Sequence, residues 1–199
     1  MGACVVVLKR LTKLRKATRR YLSVNSIMTG KKSIYFAYGS NLLERRMHRS
    51  NPNAVRCGKG VLKDYRFDMG TYCKFWRGCG ANITESSGEK VWGALWELKD
   101  EDFVNLDRQE YVHLNVYKRI LVEIETPDGQ KLNCIAYQMV NNFEKVDLAN
   151  LPFERRPSPA YMDVIIKGSQ ETGLPIDYTN FLRTVCTNGI DYAPNLDPE

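Results

Sequence analysis

The 199-residue chain has no apolar run long enough to cross a membrane as a helix. Its six cysteines (Cys4, Cys57, Cys73, Cys79, Cys134 and Cys186) nowhere form a C-x-x-C pair, and its two histidines, His48 and His113, lie far apart in sequence. These spacings exclude the common zinc motifs, and no metal is expected. Scattered cysteines without a secretory signal fit reduced thiols inside a cell, so a cytoplasmic protein is the first expectation. No Ser/His/Asp or Cys/His set for nucleophilic catalysis stands out, and there are no internal repeats.

Acidic residues are absent from residues 1–32, which carry nine of the 29 lysines and arginines. The other 20 basic residues stand against 23 acidic ones, so the formal charge of +6 hides a mildly acidic remainder. Nucleic acid is therefore not expected as its partner, and neither is a membrane. A basic nucleic-acid or membrane-surface reading rests on residues 1–33 alone. Leu8, Leu11, Leu14 and Leu22 recur there at near-helical spacing among Arg and Lys. This is the pattern of a mitochondrial presequence or of a disordered basic tail, and mitochondria are the alternative location. Gly2 lacks the Ser/Thr four positions on that myristoylation uses, because Val6 stands there. Met28 offers an internal start that would remove most of this extension.

The length and the 43% hydrophobic content suit one globular domain, read here over residues 34–190, with a tail at 191–199. Ile34–Tyr38 reads as a strand and Leu42–Arg49 as a short helix. Val55–Asp68 has strand content, followed by a stretch that glycines at 70, 78, 80 and 88 make loop-rich. Val91–Trp96 is a strand buried on both faces. Tyr117–Thr126 and Lys131–Val140 flank Pro127-Asp128-Gly129-Gln130, a tight-turn sequence that makes them a hairpin. Residues 141–156 read as a polar connection. A helix over Ala160–Thr172 is stopped by Gly173, and a shorter one covers Asp177–Val185.

Two stretches carry chemistry. In Tyr35-Phe36-Ala37-Tyr38-Gly39-Ser40-Asn41-Leu42 a strand runs through Gly-Ser-Asn into a helical pattern. Such a turn leaves backbone N–H groups free for an anion, with a helix dipole behind them. Taken alone, an ordinary buried strand with a capped helix is the favoured reading of it. The second stretch is a helix expected from an Asp100 cap to about Glu110. Phe103, Leu106 and Glu110 follow one another at i, i+3 and i+7, which continues the apolar face to Glu110 and leaves Asp102, Asp107 and Arg108 in solvent-facing phases. A carboxylate on such a face has a raised pKa; a frayed helix end with Glu110 in water is the alternative.

With these two stretches, Val91-Trp92-Gly93, Pro157-Ser158-Pro159-Ala160-Tyr161, Lys167-Gly168 and Gly173-Leu174-Pro175 in view, the chain resembles the γ-glutamylcyclotransferase family over roughly residues 34–178. The resemblance implies an α+β fold in a single domain, a twisted mixed β-barrel with flanking helices and a cavity at one end. It also implies conversion of a γ-glutamyl amino acid to 5-oxoproline and a free amino acid, with no cofactor. Glu110 matches the family's catalytic glutamate. Tyr35, Phe36, Ala37, Tyr38, Gly39 and Ser40 match its substrate loop, and Tyr161 a substrate-contacting tyrosine. Tyr161 alternatively packs the cavity wall. Tyr38-Gly39-Ser40-Asn41-Leu42 fits the γ-glutamyl amino acid branch better than the branches acting on glutathione or γ-glutamylamines. Those activities, and a non-catalytic γ-glutamyl-binding protein, are the alternatives. A homodimer is left open, and residues 1–33 have no counterpart in the family core.

Overall fold

The computed structural model describes residues 32–196. The basic extension expected over residues 1–33 lies outside the described residues except for its last two positions, as do the final three residues of the C-terminal tail. Five strands close into a barrel: β1 (Ser33–Ala37), β2 (Val55–Cys73), β3 (Gly78–Leu98), β4 (Tyr117–Glu125) and β5 (Lys131–Met139), in the order β1-β3-β2-β4-β5. Neighbours are antiparallel except at the seam, where β1 meets β5 in parallel with Tyr35 opposite Ile135. This is the mixed barrel that the α+β expectation described.

The β4–β5 hairpin forms where its turn sequence places it. Gly129 takes the left-handed φ of 83°, its N–H donates to Thr126 O at 2.9 Å, and the Thr126 N–H closes the loop onto Gln130 O at 2.9 Å. The region from Gly70 to Gly88 differs from its loop-rich reading. β2 and β3 run through it as strands of 19 and 21 residues, joined by a turn over residues 74–77. Its glycines serve close approach: a Cβ on Gly70 would strike Met139 and Phe143, and one on Gly80 the Tyr117 hydroxyl. Ser86-Ser87-Gly88 lies at a register shift opposite Asp64. There Gly88 has φ 79° and donates its N–H to Asp64 Oδ1 at 2.8 Å. Such bulges bend and twist a long hairpin enough to close a barrel.

Among the described residues, four α-helices flank the barrel: α1 (Glu44–His48), α2 (Asp100–Gln109), α3 (Pro159–Glu171) and α4 (Ile176–Arg183). The Ser158 side chain caps α3 by accepting the Tyr161 N–H at 3.2 Å, with Pro159 in the first turn. Gly168 lets α3 lie directly on Leu42 and Leu43, whose backbone a Cβ would strike. In α2, Phe103 and Leu106 are fully buried as their spacing requires. The cap differs from expectation: Lys99 holds the N-cap position, and its N–H is taken by Asp102 Oδ2 at 2.9 Å. That bond draws Asp102 in to 2% exposure, although its helical phase points to solvent. Asp107 is also drawn in, between Arg119 (Nη2 to Oδ2 2.6 Å) and the Tyr137 hydroxyl (2.8 Å). Among the described residues, no helix is long and apolar enough to cross a membrane.

Candidate active site

At the end of β1 the chain turns through Gly39 into a single 3-10 turn, Ser40–Leu42. Its first helical bond runs from the Leu42 N–H to Gly39 O at 3.0 Å, so the amides of Gly39, Ser40 and Asn41 precede the helical ladder. The continuous helix expected over Leu42–Arg49 is split, because Leu43 is extended (φ −82°, ψ 125°) before α1 begins. One short turn has little aligned dipole, so the attraction of this loop for an anion rests on its amides themselves. Gly39 is needed for contact: a Cβ there would come within 3.2 Å of the Tyr161 hydroxyl and 3.3 Å of Ala81 Cβ.

A cavity of about 740 Å³ opens beside this turn and brings Tyr35, Tyr38, Gly39, Ser40, Glu110 and Tyr161 together. Phe36 and Ala37, which the resemblance places in the substrate loop, do not line it. Alternation along β1 turns Phe36 to the opposite face from Tyr35, where it packs over Gly93.

The tyrosine hydroxyls are tied down. Asn41 Nδ2 donates to the Tyr35 hydroxyl at 3.1 Å, and Tyr38 donates to Tyr137 O at 2.6 Å. The Tyr161 hydroxyl accepts the Ala81 N–H at 3.0 Å, while Tyr117 donates to Ala81 O at 2.6 Å. Trp76 packs against the Tyr161 ring at 4.8 Å. Burial pushes all four phenols well above their ordinary pKa, so they stay protonated near neutrality and act as dipoles rather than bases. Tyr161 therefore both packs the wall and presents its hydroxyl beside Gly39.

Glu110 is the one carboxylate among the described residues lining the cavity. It follows α2 as the C-cap residue, its N–H bonded to Leu106 O at 2.8 Å, and is half-buried. Burial raises its pKa above the usual carboxylate range, while the Gln109 hydrogen bond and the Arg46 charge act in the opposite direction. Gln109 Nε2 donates to Glu110 Oε1 at 2.8 Å and to Asn41 Oδ1 at 3.1 Å, which ties the carboxylate to the turn. The other acids weighed from the sequence are engaged outside the cavity. Glu44 pairs with Arg56 at 3.7 Å, Glu97 with Lys32 at 2.5 Å, Glu123 with Lys131 at 2.7 Å and Glu125 with Lys63 at 2.6 Å.

The AIG2-like family pattern matches residues 90–182. The chain is 37% identical to bovine γ-glutamylcyclotransferase over 174 residues, covering 85% of this chain and 86% of that protein. It is 35% identical to the human γ-glutamylcyclotransferase over 170 residues, covering 83% and 84%. The chain belongs to the γ-glutamylcyclotransferase family. A solved structure named γ-glutamyl cyclotransferase superposes with a TM-score of 0.74 at 32% identity, over 83% of this chain and 94% of that one.

Within this γ-glutamylcyclotransferase fold, Arg46 and Gln109 are cavity residues that the sequence reading missed. Arg46 lies on the short α1, and nothing in its sequence neighbourhood separates it from a solvated arginine. Gln109 lies inside the Leu106–Glu110 motif but was overshadowed by its ionisable neighbour. Among the described residues, no group of three or more His, Cys, Asp or Glu side chains is close enough to hold a metal ion.

Proposed function

We propose that this chain converts a γ-L-glutamyl-L-amino acid to 5-oxo-L-proline and the free amino acid by intramolecular aminolysis, with Glu110 as general base. The observation that carries this reading is Glu110 itself, a lone carboxylate of raised pKa tied through Gln109 to the Gly39–Asn41 turn. In this reaction the substrate's α-amine attacks its own γ-carbonyl, so no protein nucleophile is required. Holding the γ-glutamyl chain folded, with amine and carbonyl in contact, supplies much of the acceleration.

The α-amine enters mostly as ammonium at neutral pH. The attacking nitrogen sheds two protons in becoming the lactam N–H; Glu110 takes each in turn and passes it to the departing nitrogen, which leaves as an ammonium, and a pKa moved toward the working pH suits these transfers. The Gly39 and Ser40 amides offer donors to a substrate anion, and the Tyr161 hydroxyl borders the same space. The fixed phenols of Tyr35 and Tyr38 shape the pocket around the glutamyl chain.

Glu110→Gln tests the assignment. It is expected to lower 5-oxoproline release from a γ-glutamyl dipeptide by roughly 10²–10⁴-fold, with an unchanged circular dichroism spectrum and a cooperative melt. Wild-type turnover in that variant would remove Glu110 from the proton chemistry. Release measured side by side from γ-glutamyl dipeptides, glutathione and γ-glutamyl-lysine tests the substrate class, with the dipeptides expected to react fastest.

A further inference from the structure

Arg46 is the cavity group that this mechanism leaves without a task. It projects from α1, is 4% exposed and lines the cavity, yet among the described residues its Nε and Nη1 have no hydrogen-bond partner. Rings hold it instead of acceptors: its guanidinium stands 5.6 Å from the Phe75 centroid and 5.8 Å from that of Trp76. A buried guanidinium lacking acceptors is disfavoured until something supplies them. Among the described lining residues, Arg46, Lys74 and Arg108 also outnumber the single carboxylate of Glu110. The missing partner is therefore anionic, and the planar fork of arginine matches a carboxylate.

A γ-glutamyl amino acid has two carboxylates, and the order of the proton transfers chooses between them. The α-carboxylate shares a carbon with the α-amine, so whatever takes the amine's proton has that carboxylate beside it. Two adjacent carboxylates repel unless a cation lies between them. Arg46 lines the same cavity as Glu110 and carries the opposite charge, so it is the cation available to a second carboxylate there. The carboxylate of the leaving amino acid stands beside the departing nitrogen, which the base reaches only in the second transfer, and it goes with the amine; the α-carboxylate is beside the base from the first transfer and stays in the product. We propose that Arg46 binds the α-carboxylate of the γ-glutamyl group, which releases the Gly39 and Ser40 amides to hold the oxyanion. This assignment rests on the cyclotransferase reading above.

The product keeps this carboxylate, which permits a test that does not depend on turnover. Binding of 5-oxoproline and of its carboxamide is measured by calorimetry on wild-type, Arg46→Met and Arg46→Lys protein. The wild-type chain is expected to prefer the acid by roughly 10- to 100-fold, the loss expected when a charge-assisted pair is broken. In Arg46→Met, which keeps the length and apolar contacts of the stem, that preference collapses toward one while carboxamide binding is retained. Arg46→Lys keeps the charge without the fork and gives an intermediate ratio. A full acid preference in a folded Arg46→Met protein, or no binding of either ligand by the wild type, overturns the proposal. Release of 5-oxoproline from γ-glutamyl dipeptides is scored separately. Turnover without carboxylate preference removes the Arg46 role alone; preference without turnover removes the cyclotransferase reading alone.

Discussion

Among the described residues Glu110 forms no salt bridge and is held by a neutral amide on its own chain, with the Arg46 charge acting on it only through the cavity, and that choice sets its working range. An ion pair would drive the carboxylate toward the acidic end of its range and weaken it as a base; the single Gln109 bond at 2.8 Å lowers the pKa only against the upward push of burial. Removing that bond favours the protonated form. Gln109→Leu is therefore expected to move the acidic limb of the kcat/KM–pH profile to higher pH, because protonated Glu110 cannot accept a proton. Activity should recover as pH rises through the new pKa, and a limb that stays in place would separate Gln109 from the base. At this scale Glu110 was legible in the sequence because it continues an apolar phase. Asp102 was not, because a hydrogen bond to the Lys99 N–H outweighs helical phase in deciding where a short side chain points. Arg46 was obscured by charge: an arginine on a short helix reads as solvated, and only the packed rings of Phe75 and Trp76 give it a place inside.

Among the elements, α3 and the substrate turn act as one unit through Gly168. The helix touches the backbone of Leu42 and Leu43 there, and its first turn supplies the Tyr161 hydroxyl that meets the turn at Gly39. Gly168→Ala improves intrinsic helix propensity, which in an exposed position stabilises by about 1 kcal/mol. At this contact the methyl has no room, so the variant is expected to lose about 1–3 kcal/mol in urea unfolding. It should also lose activity, since α3 can yield only by moving away from the turn. The elements themselves divide by how local their signals are. The β4–β5 hairpin announces itself in Pro127-Asp128-Gly129, because a turn type demands particular residues. β2 and β3 conceal their length, because Gly70 and Gly80 answer to Met139, Phe143 and Tyr117, partners on distant strands and loops that composition does not reveal.

Across the whole molecule, the connection from β5 to α3 is fastened to the barrel by a buried charge cluster. Asp68, 1% exposed, accepts from Arg155 at 2.5 Å and Arg66 at 3.0 Å. Arg155 also donates to Met69 O and Glu144 O. The sequence reading took residues 141–156 as a polar linker, since nothing local tells a buried arginine from a solvated one. Arg155→Leu leaves Asp68 buried with one of its two guanidinium partners gone, and is expected to cost about 3–5 kcal/mol of stability, read from the shift of the urea midpoint. The fold class, a mixed barrel with flanking helices, was legible through the resemblance that the motifs carry; the strand order and the seam that close the barrel were not. The seam couples strands far apart in the chain: Tyr35 registers with Ile135, and the Tyr38 hydroxyl bonds Tyr137 O across 99 positions. Contacts of such long range form late, after the nearby hairpins have organised. On the ribosome, β1 and its substrate turn must wait for β5 to emerge before the pocket exists. A chain truncated before β5 would then carry Glu110 and every residue of the loop, and still have nowhere to bind.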